Sequence, residues 1–277
     1  MVIKAQAKIN LFLNVGEKRS DSYHELYSII VKVSLFDLIE IREDSQINID
    51  APSWIPIRKN LVYRAASLFF KETGIKKGCS IRLEKNIPAG AGLGGGSSDA
   101  AATLKGLNKI FKTGLGIGEL EKMGAELGSD VNSFFYEQGC LVSGRGEKVK
   151  PLETVKSRDY SILLVDPNIE ISTKKIYENY PGGRLTRGRD LDNIIKLYND
   201  TQWPAILRND LEETVFKIYP SLGKLKKMLE NWGVYPLLSG SGSFFFALSR
   251  DRKLIETVKE VISKELGLKT HIVQSLI

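Results

Sequence analysis

Pro88-Ala-Gly-Ala-Gly-Leu-Gly-Gly-Gly-Ser-Ser98 is the stretch that decides the fold. Because glycine lacks a Cβ atom, the backbone N–H groups of such a loop can approach an anion closely. The helix predicted after it, from about Ser97 to Phe111, adds unpaired N–H groups and a partial positive charge at its start. Ser97, Ser98 and Asp99 are residue types that cap helices. A flexible linker would have polar low-complexity flanks, which are missing here, so the stretch predicts a phosphate-binding loop.

Two common nucleotide-binding patterns do not fit this loop. Gly90, Gly92 and Gly95 satisfy the G-x-G-x-x-G spacing, but that pattern requires a following strand and an acidic residue about 20 positions on. Thr113-Gly-Leu-Gly-Ile-Gly118 comes next instead, and a second helical pattern runs from Leu120 to Leu127. The Walker pattern requires a terminal Gly-Lys-Ser/Thr, which the loop lacks. Another phosphate-binding architecture is therefore expected.

Composition limits the class of protein. The chain has 277 residues, 42% of them hydrophobic and 26% charged, which predicts a globular protein with room for two compact domains. Cys79 and Cys140 lie in strand-like runs and are predicted to be reduced, buried thiols. With two histidines and two cysteines, no zinc-like cluster is expected.

Charge and hydropathy bear on partners and location. The formal net charge is +7, but the basic residues are scattered and lack the interleaved aromatic residues of single-strand binders. We therefore expect no nucleic-acid partner. No apolar run approaches the roughly 18 residues that span a membrane, and the first residues lack a secretory apolar segment. A cytoplasmic protein without a membrane partner is expected, either a monomer or a homodimer.

The periodicity predicts a mixed N-terminal half and a regular C-terminal half. Alternating runs predict strands over Ile3–Val15, Ile29–Ile41 and Cys79–Ile87, and Asn60 is the predicted cap of a helix. The polar stretch from Glu153 to Asp159 is the predicted boundary, giving domains over 1–153 and 154–277. The second domain reads β-α-β-β-α-β with helices inserted after the first strand, a ferredoxin-like order. Its predicted elements are Tyr160–Val165, Ser221–Trp232, Val234–Ser239, Phe244–Leu248, a helix with Leu254 to Ile262, and Thr270–Ser275.

Two further features suit phosphoryl transfer to an alcohol. Lys8 and Asn10 project from the same face of the first strand. Asp130, at a predicted helix start, can orient or deprotonate a hydroxyl while the Lys8 ammonium stabilises charge. Ser239-Gly-Ser-Gly-Ser243 lies between two apolar strands, where a plain hairpin turn is an equally good interpretation.

Five motifs in order resemble the GHMP kinase superfamily. They are Ala7-Lys-Ile-Asn-Leu11, Tyr23-His-Glu-Leu26, the loop from Pro88 to Ser98, Leu127-Gly-Ser-Asp130 and Leu238-Ser-Gly-Ser-Gly242. The resemblance implies an α+β, two-domain architecture: a mixed α/β ATP-binding domain and a C-terminal ferredoxin-like domain. The first two motifs are similar to the branch that transfers the γ-phosphate of ATP to the 2-hydroxyl of a cytidine diphosphate-linked methylerythritol, in non-mevalonate isoprenoid synthesis.

The resemblance also implies the roles of individual residues. Lys8 and Asp130 would be the catalytic pair. ATP would be the co-substrate and would carry Mg²⁺ with it, with no dedicated metal site in the protein. The residues implied for ATP are Asn60, Leu61, Val62, Pro88, Ala89, Gly90, Ala91, Gly92, Leu93, Gly94, Gly95, Gly96, Ser97 and Ser98. Those implied for the substrate are Asn10, Tyr23, His24, Tyr177, Gly240 and Ser241. From the residues alone, core packing is the alternative role for Tyr177, and the role of His24 is open.

The chain departs from the family pattern at two places. Ser22 stands where the family usually has glycine, so a positive φ at Ser22 would strain the backbone by about 1–3 kcal/mol. The segment Asp130-Val-Asn-Ser133 replaces the more usual Asp-Val-Pro, which affects the helix start more than the carboxylate.

Two alternative functions stay open at this point. A related kinase would act on another alcohol, such as homoserine or a mevalonate derivative. A catalytically silent nucleotide-binding or RNA-binding protein could share the scaffold, although the presence of both Lys8 and Asp130 argues against it.

Overall fold

The computed structural model describes residues 1–155 and 160–276. They form two compact units, each assembled from separate parts of the chain. Unit 1 comprises Met1–Ala7, Leu35–Ala89 and Gly94–Glu137, and unit 2 comprises Lys8–Ser34, Gly90–Leu93 and Gln138–Ile277. The division into domains over 1–153 and 154–277 stays a prediction. Part of its boundary, residues 156–159, lies outside the described residues.

Two long strands contribute residues to both units. Strand β1 spans Val2–Lys18 and strand β2 spans His24–Asp44. Both contain the alternating runs predicted from the sequence, so the predicted strands over Ile3–Val15 and Ile29–Ile41 are confirmed. Each extends beyond its pattern at both ends, and the second half of β1 is buried at consecutive positions instead of at alternate ones.

Unit 1 packs helices against a short part of the sheet. The C-terminal half of β2 pairs antiparallel with β4, with Leu38 opposite Glu84, and β4 pairs parallel with β3. Helices α1 and α2 pack against one another, and α3 packs against both. The elements of unit 1 are β3 (Asn48–Asp50), a 3₁₀ helix (Ile57–Lys59), α1 (Leu61–Thr73), β4 (Gly78–Glu84), α2 (Gly95–Ile110), α3 (Ile117–Leu127) and a second 3₁₀ helix (Val131–Phe135).

The sequence explains where these helices begin and end. The Asn60 side chain accepts a hydrogen bond of 2.9 Å from the Val62 N–H, which confirms the predicted cap of α1. Gly74 ends α1 in the left-handed conformation with φ +67°, and Gly128 ends α3 as predicted. The Cys79 thiol is buried in this core, and burial raises its pKa to about 12. Cys79 is therefore a free, buried thiol, as predicted.

Unit 2 contains the ferredoxin-like sheet. Its strand order is β11-β7-β10-β9, and the three neighbouring pairs are antiparallel. That order confirms the predicted β-α-β-β-α-β arrangement. The helices and strands of this part are β7 (Ser161–Asp166), α4 (Thr173–Asn179), α5 (Arg189–Asn199), a 3₁₀ helix (Trp203–Ile206), β8 (Arg208–Asn209), α6 (Glu212–Ile218), α7 (Pro220–Asn231), β9 (Tyr235–Leu238), β10 (Phe245–Ser249), α8 (Arg252–Val261), a π-helical turn (Ile262–Leu266) and β11 (Lys269–Gln274).

Further strands complete unit 2. The N-terminal half of β2 pairs antiparallel with β5 (Cys140–Gly144), which pairs with β6 (Lys148–Pro151). Strand β1 pairs in parallel with the two-residue strand β8, with Leu13 opposite Asn209. None of the helices in residues 1–155 and 160–276 has the length and apolar composition needed to cross a bilayer.

Candidate active site

The glycine loop adopts a conformation that only glycine adopts without strain. Gly90, Gly92 and Gly94 have φ values of +67°, +72° and +70°. Helix α2 starts directly after them, with Gly94 as its N-cap. The prediction that Ser97, Ser98 or Asp99 caps this helix is therefore wrong, because the helix begins two residues earlier than predicted.

Close packing explains why the first residue of α2 is glycine. A Cβ atom on Gly95 would lie 2.9 Å from Ile87 Cγ2, and one on Gly96 would lie 3.4 Å from Leu61 Cδ1. Glycine is a poor helix former, but Gly95 leaves little room for a side chain, whereas a Cβ atom on Gly96 would make an ordinary contact. The first N–H groups of α2 have no partner within the helix and follow directly after the glycine loop. They can therefore bind the oxygens of a phosphate.

Asn60 combines a structural role with an unused donor. Its side chain is 4% exposed, and its Oδ1 atom accepts from Val62 at the start of α1. Its Nδ2 atom is buried and has no hydrogen-bond partner among the described residues. A buried N–H donor without a partner destabilises the folded protein by about 1–3 kcal/mol. Such donors therefore usually bind a ligand or an ordered water.

Asp130 lies in the turn that follows α3. A Cβ atom on Gly128, two residues earlier, would lie 3.9 Å from Ser97 Oγ, which places this turn beside the head of α2. The Asp130 carbonyl oxygen accepts from the hydroxyl of Ser133 at 2.8 Å, and the carboxylate does not cap the 3₁₀ helix that starts at Val131. The departure from the family's Asp-Val-Pro thus leaves the backbone of this turn hydrogen-bonded.

Lys8 is held by a chain of hydrogen bonds on the polar face of β1. Its Nζ atom donates to Asn10 Oδ1 at 2.5 Å, Asn10 Nδ2 donates to Ser28 Oγ at 2.8 Å, and Ser28 Oγ donates to the Phe12 carbonyl at 2.6 Å. Because the last acceptor is a carbonyl, the chain fixes the direction of every bond and turns the amide oxygen of Asn10 toward Lys8. Lys8 is only 3% exposed, so its ammonium is directed within a buried polar cluster. The pairing of Lys8 with Asp130 stays a prediction.

The loop Ser239–Ser243 meets the glycine loop and the polar face of β1. Ser239 Oγ donates to the Gly92 carbonyl at 3.0 Å. A Cβ atom on Gly92 would lie 2.0 Å from the Ser239 carbonyl oxygen, so no side chain fits there. A Cβ atom on Gly240 would lie 3.5 Å from both Lys8 Nζ and Asn10 Oδ1. The loop connects the antiparallel strands β9 and β10, as the hairpin interpretation predicts, and it also contacts Gly92.

Of the three residues predicted for the cytosine, the structure places His24 and Tyr177 near one another. The His24 ring is buried, and its Nδ1 atom lies 2.9 Å from the Gly16 carbonyl oxygen. Since that carbonyl can only accept, Nδ1 carries the proton and Nε2 is the acceptor of the neutral ring. The ring centroid of Tyr177 lies 5.8 Å from that of His24. Tyr23 is 51% exposed, and the Arg145 guanidinium lies over its ring at 5.1 Å.

The turn before Tyr23 is strained at the predicted position. Ser22 has a φ of +71°, where the family usually has glycine. Hydrogen bonds on both sides hold it there: Ser22 N–H donates to the Arg19 carbonyl at 3.1 Å, and Tyr23 N–H donates to Asp21 Oδ1 at 3.1 Å. The Arg19 side chain also pairs with Glu25 at 2.5 Å. The local network therefore stabilises the conformation that serine disfavours.

A buried charge cluster supports the head of α2, and sequence reasoning missed it. Lys85 forms ion pairs with Asp37 and, at 2.8 Å, with Asp99 on α2. Asp37 Oδ1 also accepts from the backbone N–H groups of Asn86 and Ile87 at 2.6 and 2.8 Å. Lys85 lies 48 positions from Asp37 in the sequence, so no local pattern indicates the contact.

Burial raises the pKa of Asp99, the Lys85 ammonium lowers it and the nearby Asp37 carboxylate raises it, with a net pKa of about 7. Within residues 1–155 and 160–276, no group of three or more His, Cys, Asp and Glu side chains is placed to hold a metal ion.

The comparisons with known proteins agree with this geometry. The GHMP kinases N terminal domain family matches residues 60–138, and the GHMP kinases C terminal family matches residues 185–267. A 4-diphosphocytidyl-2-C-methyl-D-erythritol kinase of Thermodesulfovibrio yellowstonii is 42% identical over 260 residues, covering 91% of this chain and 90% of the relative. The chain belongs to the GHMP kinase family. A kinase of the same name from Bacillus cereus is 40% identical to this GHMP kinase, over 90% of the chain and 88% of the relative.

Solved structures of GHMP kinases show the same fold. A crystal structure of 4-(cytidine 5′-diphospho)-2C-methyl-D-erythritol kinase matches with a TM-score of 0.83 and 30% identity, over 99% of both chains. A homoserine kinase from Cytophaga hutchinsonii matches with a TM-score of 0.72 and 18% identity, over 99% of this chain and 93% of the other. The second likeness shows the fold alone. The α+β, two-part GHMP architecture predicted from the sequence is confirmed.

Proposed function

We propose that this GHMP kinase transfers the γ-phosphate of ATP to the 2-hydroxyl of 4-diphosphocytidyl-2-C-methyl-D-erythritol. The products are the 2-phosphate and ADP, in non-mevalonate isoprenoid precursor biosynthesis. The observation that carries the proposal is the relationship, at about 40% identity over nine-tenths of the chain, to kinases named for that substrate. The glycine loop at the head of α2 supports ATP as the phosphate donor.

We assign the adenine-bordering role to Asn60, Leu61 and Val62. The buried Nδ2 donor of Asn60 supports this assignment, because a purine nitrogen would supply the missing acceptor. The contact between Leu61 and the Gly96 position supports it as well, since it places the start of α1 beside the residues proposed to hold the phosphates.

We assign the chemical step to Lys8 and Asp130. The carboxylate of Asp130 orients the 2-hydroxyl and accepts its proton as the oxygen attacks the γ-phosphorus. The ammonium of Lys8 stabilises the negative charge on the attacking oxygen and the transferring group. The bond between the γ-phosphorus and the bridging oxygen then breaks, and ADP leaves. The fixed orientation of Lys8 through Asn10 and Ser28 supports its role, because a directed ammonium needs little reorganisation during the reaction.

We propose that Mg²⁺ enters with the nucleotide. It prefers oxygen ligands and retains several waters, so the ATP phosphates and a hydroxyl such as that of Ser97 match its requirements. When bound, it neutralises charge on the β- and γ-phosphates. The chain's own contribution is the array of N–H groups at the head of α2, which holds the phosphates in line with the acceptor.

We assign the cytosine site to Tyr23, His24 and Tyr177. The proposed role of Tyr23 is to stack on the base, which its half-exposed ring permits. The Nε2 acceptor of His24 would bind the exocyclic amino group of cytosine, which is a donor. Tyr177, beside His24, would close the other side of the base. Asn10, Gly240 and Ser241 would contact the methylerythritol phosphate end.

Mg²⁺-dependent ADP release tests the proposal. The protein is supplied with 4-diphosphocytidyl-2-C-methyl-D-erythritol, homoserine or mevalonate at matched concentrations, with and without a chelator. We expect turnover with the cytidylyl substrate alone, and Tyr23→Ala raises its KM by about 10- to 100-fold, as loss of one base–aromatic stack requires. Turnover with homoserine or mevalonate alone would discard the cytosine site while keeping the kinase.

The proposed partners are therefore two small molecules. Neither a nucleic acid nor a membrane has a part in the proposed reaction. The cytoplasm as its location and a monomer or homodimer as its assembly stay predictions, and light scattering of the purified protein distinguishes the two assemblies.

A further inference from the structure

The side-chain amide of Asn209 forms hydrogen bonds with backbone groups through both its nitrogen and its oxygen. It belongs to β8 and is 7% exposed. Its Nδ2 atom donates to the carbonyl oxygens of Leu238 and Gly240 at 2.8 and 2.7 Å, and its Oδ1 atom accepts from the Leu211 N–H at 3.0 Å. Because the two donated protons need carbonyl acceptors and Oδ1 needs a donor, only one orientation of the amide fits.

Other side chains also hold the loop Ser239–Ser243 and the end of β9 before it. Glu212, three residues after Asn209, accepts from the Leu238 N–H at 2.9 Å and pairs with Lys226 at 2.5 Å. The hydroxyls of Thr173 and Ser241 lie 2.7 Å apart. The carbonyl and the N–H of Leu238 are thus both held by side chains, the carbonyl by Asn209 of β8 and the N–H by Glu212 of α6.

This loop lies against the residues proposed to act on the acceptor. Gly240 has a φ of +58°, and a Cβ atom on it would be 3.5 Å from Lys8 Nζ. A shift of the Gly240 backbone would therefore change the space beside the ammonium.

We infer that Asn209 is a positioning residue for phosphoryl transfer, which sets the place of Gly240 and Ser241 beside Lys8 and Asn10. The inference rests on the proposed function, because it assumes that these residues bind the acceptor. Removing the amide leaves two buried carbonyl oxygens without a donor, so the loop moves to find other partners. A displacement of this kind lowers the rate even when the reacting groups themselves are intact.

Two variants and a matched control test the inference. Asn209→Asp replaces the donor by an acceptor, and Asn209→Ser retains one hydroxyl donor. Asn179→Asp makes the same chemical change in an exposed residue of α4 that donates to the Lys175 carbonyl. For each protein, kcat, the KM for the cytidylyl substrate, the KM for ATP and the melting temperature are measured, with kinetics well below the lowest melting temperature.

We expect Asn209→Asp to lower kcat at least tenfold and to leave the KM for ATP within twofold, with Asn209→Ser intermediate and Asn179→Asp unchanged. A lower melting temperature with kcat and both KM values within twofold of the original protein would show a merely structural role and overturn the inference. If Asn209→Asp fails to fold, Asn209→Ser decides by the same criterion. Absence of turnover by the unmodified protein overturns the proposed function instead, so the two failures are distinguishable.

Discussion

Ser22 shows how a single residue can store strain beside the proposed cytosine site. Its φ of +71° places an L-residue in the left-handed region, and the neighbouring hydrogen bonds of Arg19 and Asp21 hold it there. Left-handed backbone costs an L-residue about 1–2 kcal/mol relative to glycine. The sequence indicated the position through the usual glycine, but only the structure shows that serine keeps the same backbone conformation.

Ser22→Gly should therefore stabilise the protein. We expect the free energy of unfolding to rise by about 1 kcal/mol, since the relief of strain exceeds the added entropy of the unfolded chain. Urea unfolding measures the change. Ser20→Gly, at a neighbouring exposed serine outside the left-handed region, serves as the control and should give no gain. A loss of stability in Ser22→Gly would show that the serine side chain contributes more than its backbone costs.

Asn60 allows a cap and a ligand contact to be separated. Serine is an equally good helix cap, so Asn60→Ser keeps the bond to the Val62 N–H but removes the buried Nδ2 donor. We expect the KM for ATP to rise about tenfold, the equivalent of about 1.4 kcal/mol, while the free energy of unfolding changes by less than about 1 kcal/mol. Steady-state kinetics and urea unfolding give both values.

The exposed Asn48 of β3 provides the control for this change. Asn48→Ser should leave the KM for ATP as it is. An unchanged KM for ATP in Asn60→Ser would remove Asn60 from the proposed adenine site and leave it as a helix cap alone.

At the scale of elements, the ion pairs of Lys85 connect β4 to α2. One ammonium serves two buried carboxylates, so the cluster carries a net negative charge when all three groups are ionised. Burial lowers the pKa of Lys85, but the charges and hydrogen bonds of Asp99 and Asp37 outweigh this, and its pKa is raised overall. Burial is the main cause that raises the pKa of Asp99; the Lys85 ammonium opposes it, the Asp37 carboxylate adds to it, and the resulting pKa is about 7.

Asp99→Asn should therefore change the pH dependence of stability. The folded protein holds the Asp99 proton more tightly than the unfolded chain, whose carboxyl titrates near pH 4. The protonated Asp99 therefore contributes to the free energy of unfolding. This contribution is fully present below about pH 4 and is lost as the pH rises toward 7. Relative to the original protein, Asp99→Asn should gain stability across this window, at up to about 1.4 kcal/mol per pH unit, and no further above it.

Urea unfolding between pH 4 and 8.5 measures this difference. Asp50→Asn, at an exposed aspartate of β3, is the matched control and should give a difference that does not vary with pH. A flat difference for Asp99→Asn as well would show that Asp99 is ionised throughout the range.

Elements with strong periodicity were predictable, and short or non-local ones were not. The strands β7, β9, β10 and β11 lie within a residue or two of their predicted bounds, because each has a clear apolar run. Strand β8 has two residues and therefore no period to recognise. The role of Asn209 depends on Leu238, 29 positions later in the chain, and no local pattern contains that information.

At the scale of the whole molecule, substitution of Asp130 should lower the rate of phosphoryl transfer without changing the binding of ATP. The proposed ATP contacts come from the glycine loop and the start of α1, so Asp130→Asn should fold and bind ATP normally. Its kcat should fall by about 10²–10⁴-fold, the usual contribution of a general base. Coupled ADP release measures the rate, and the rise in melting temperature with ATP measures binding.

Mass action gives the size of that rise. ATP at about 100 times its Kd stabilises the folded state by about 2.7 kcal/mol, which corresponds to several degrees for a chain of this size. Asp192→Asn, at an exposed aspartate of α5, is the control and should match the original protein in both measurements. Turnover of Asp130→Asn within twofold of the original protein would remove Asp130 from the mechanism.

The discontinuous make-up of the two units has a consequence for biosynthesis. The tip of the glycine loop, Gly90–Leu93, belongs to a unit that also needs Lys8–Ser34 and Gln138–Ile277. A ribosome that has made only the first 150 residues has released the loop, but not Ser239 or the strands around it. Translation that stops before Ser239 therefore yields a chain whose glycine loop lacks these packing partners. The glycine loop can reach its final packing only after the C-terminal half of the chain has been synthesised.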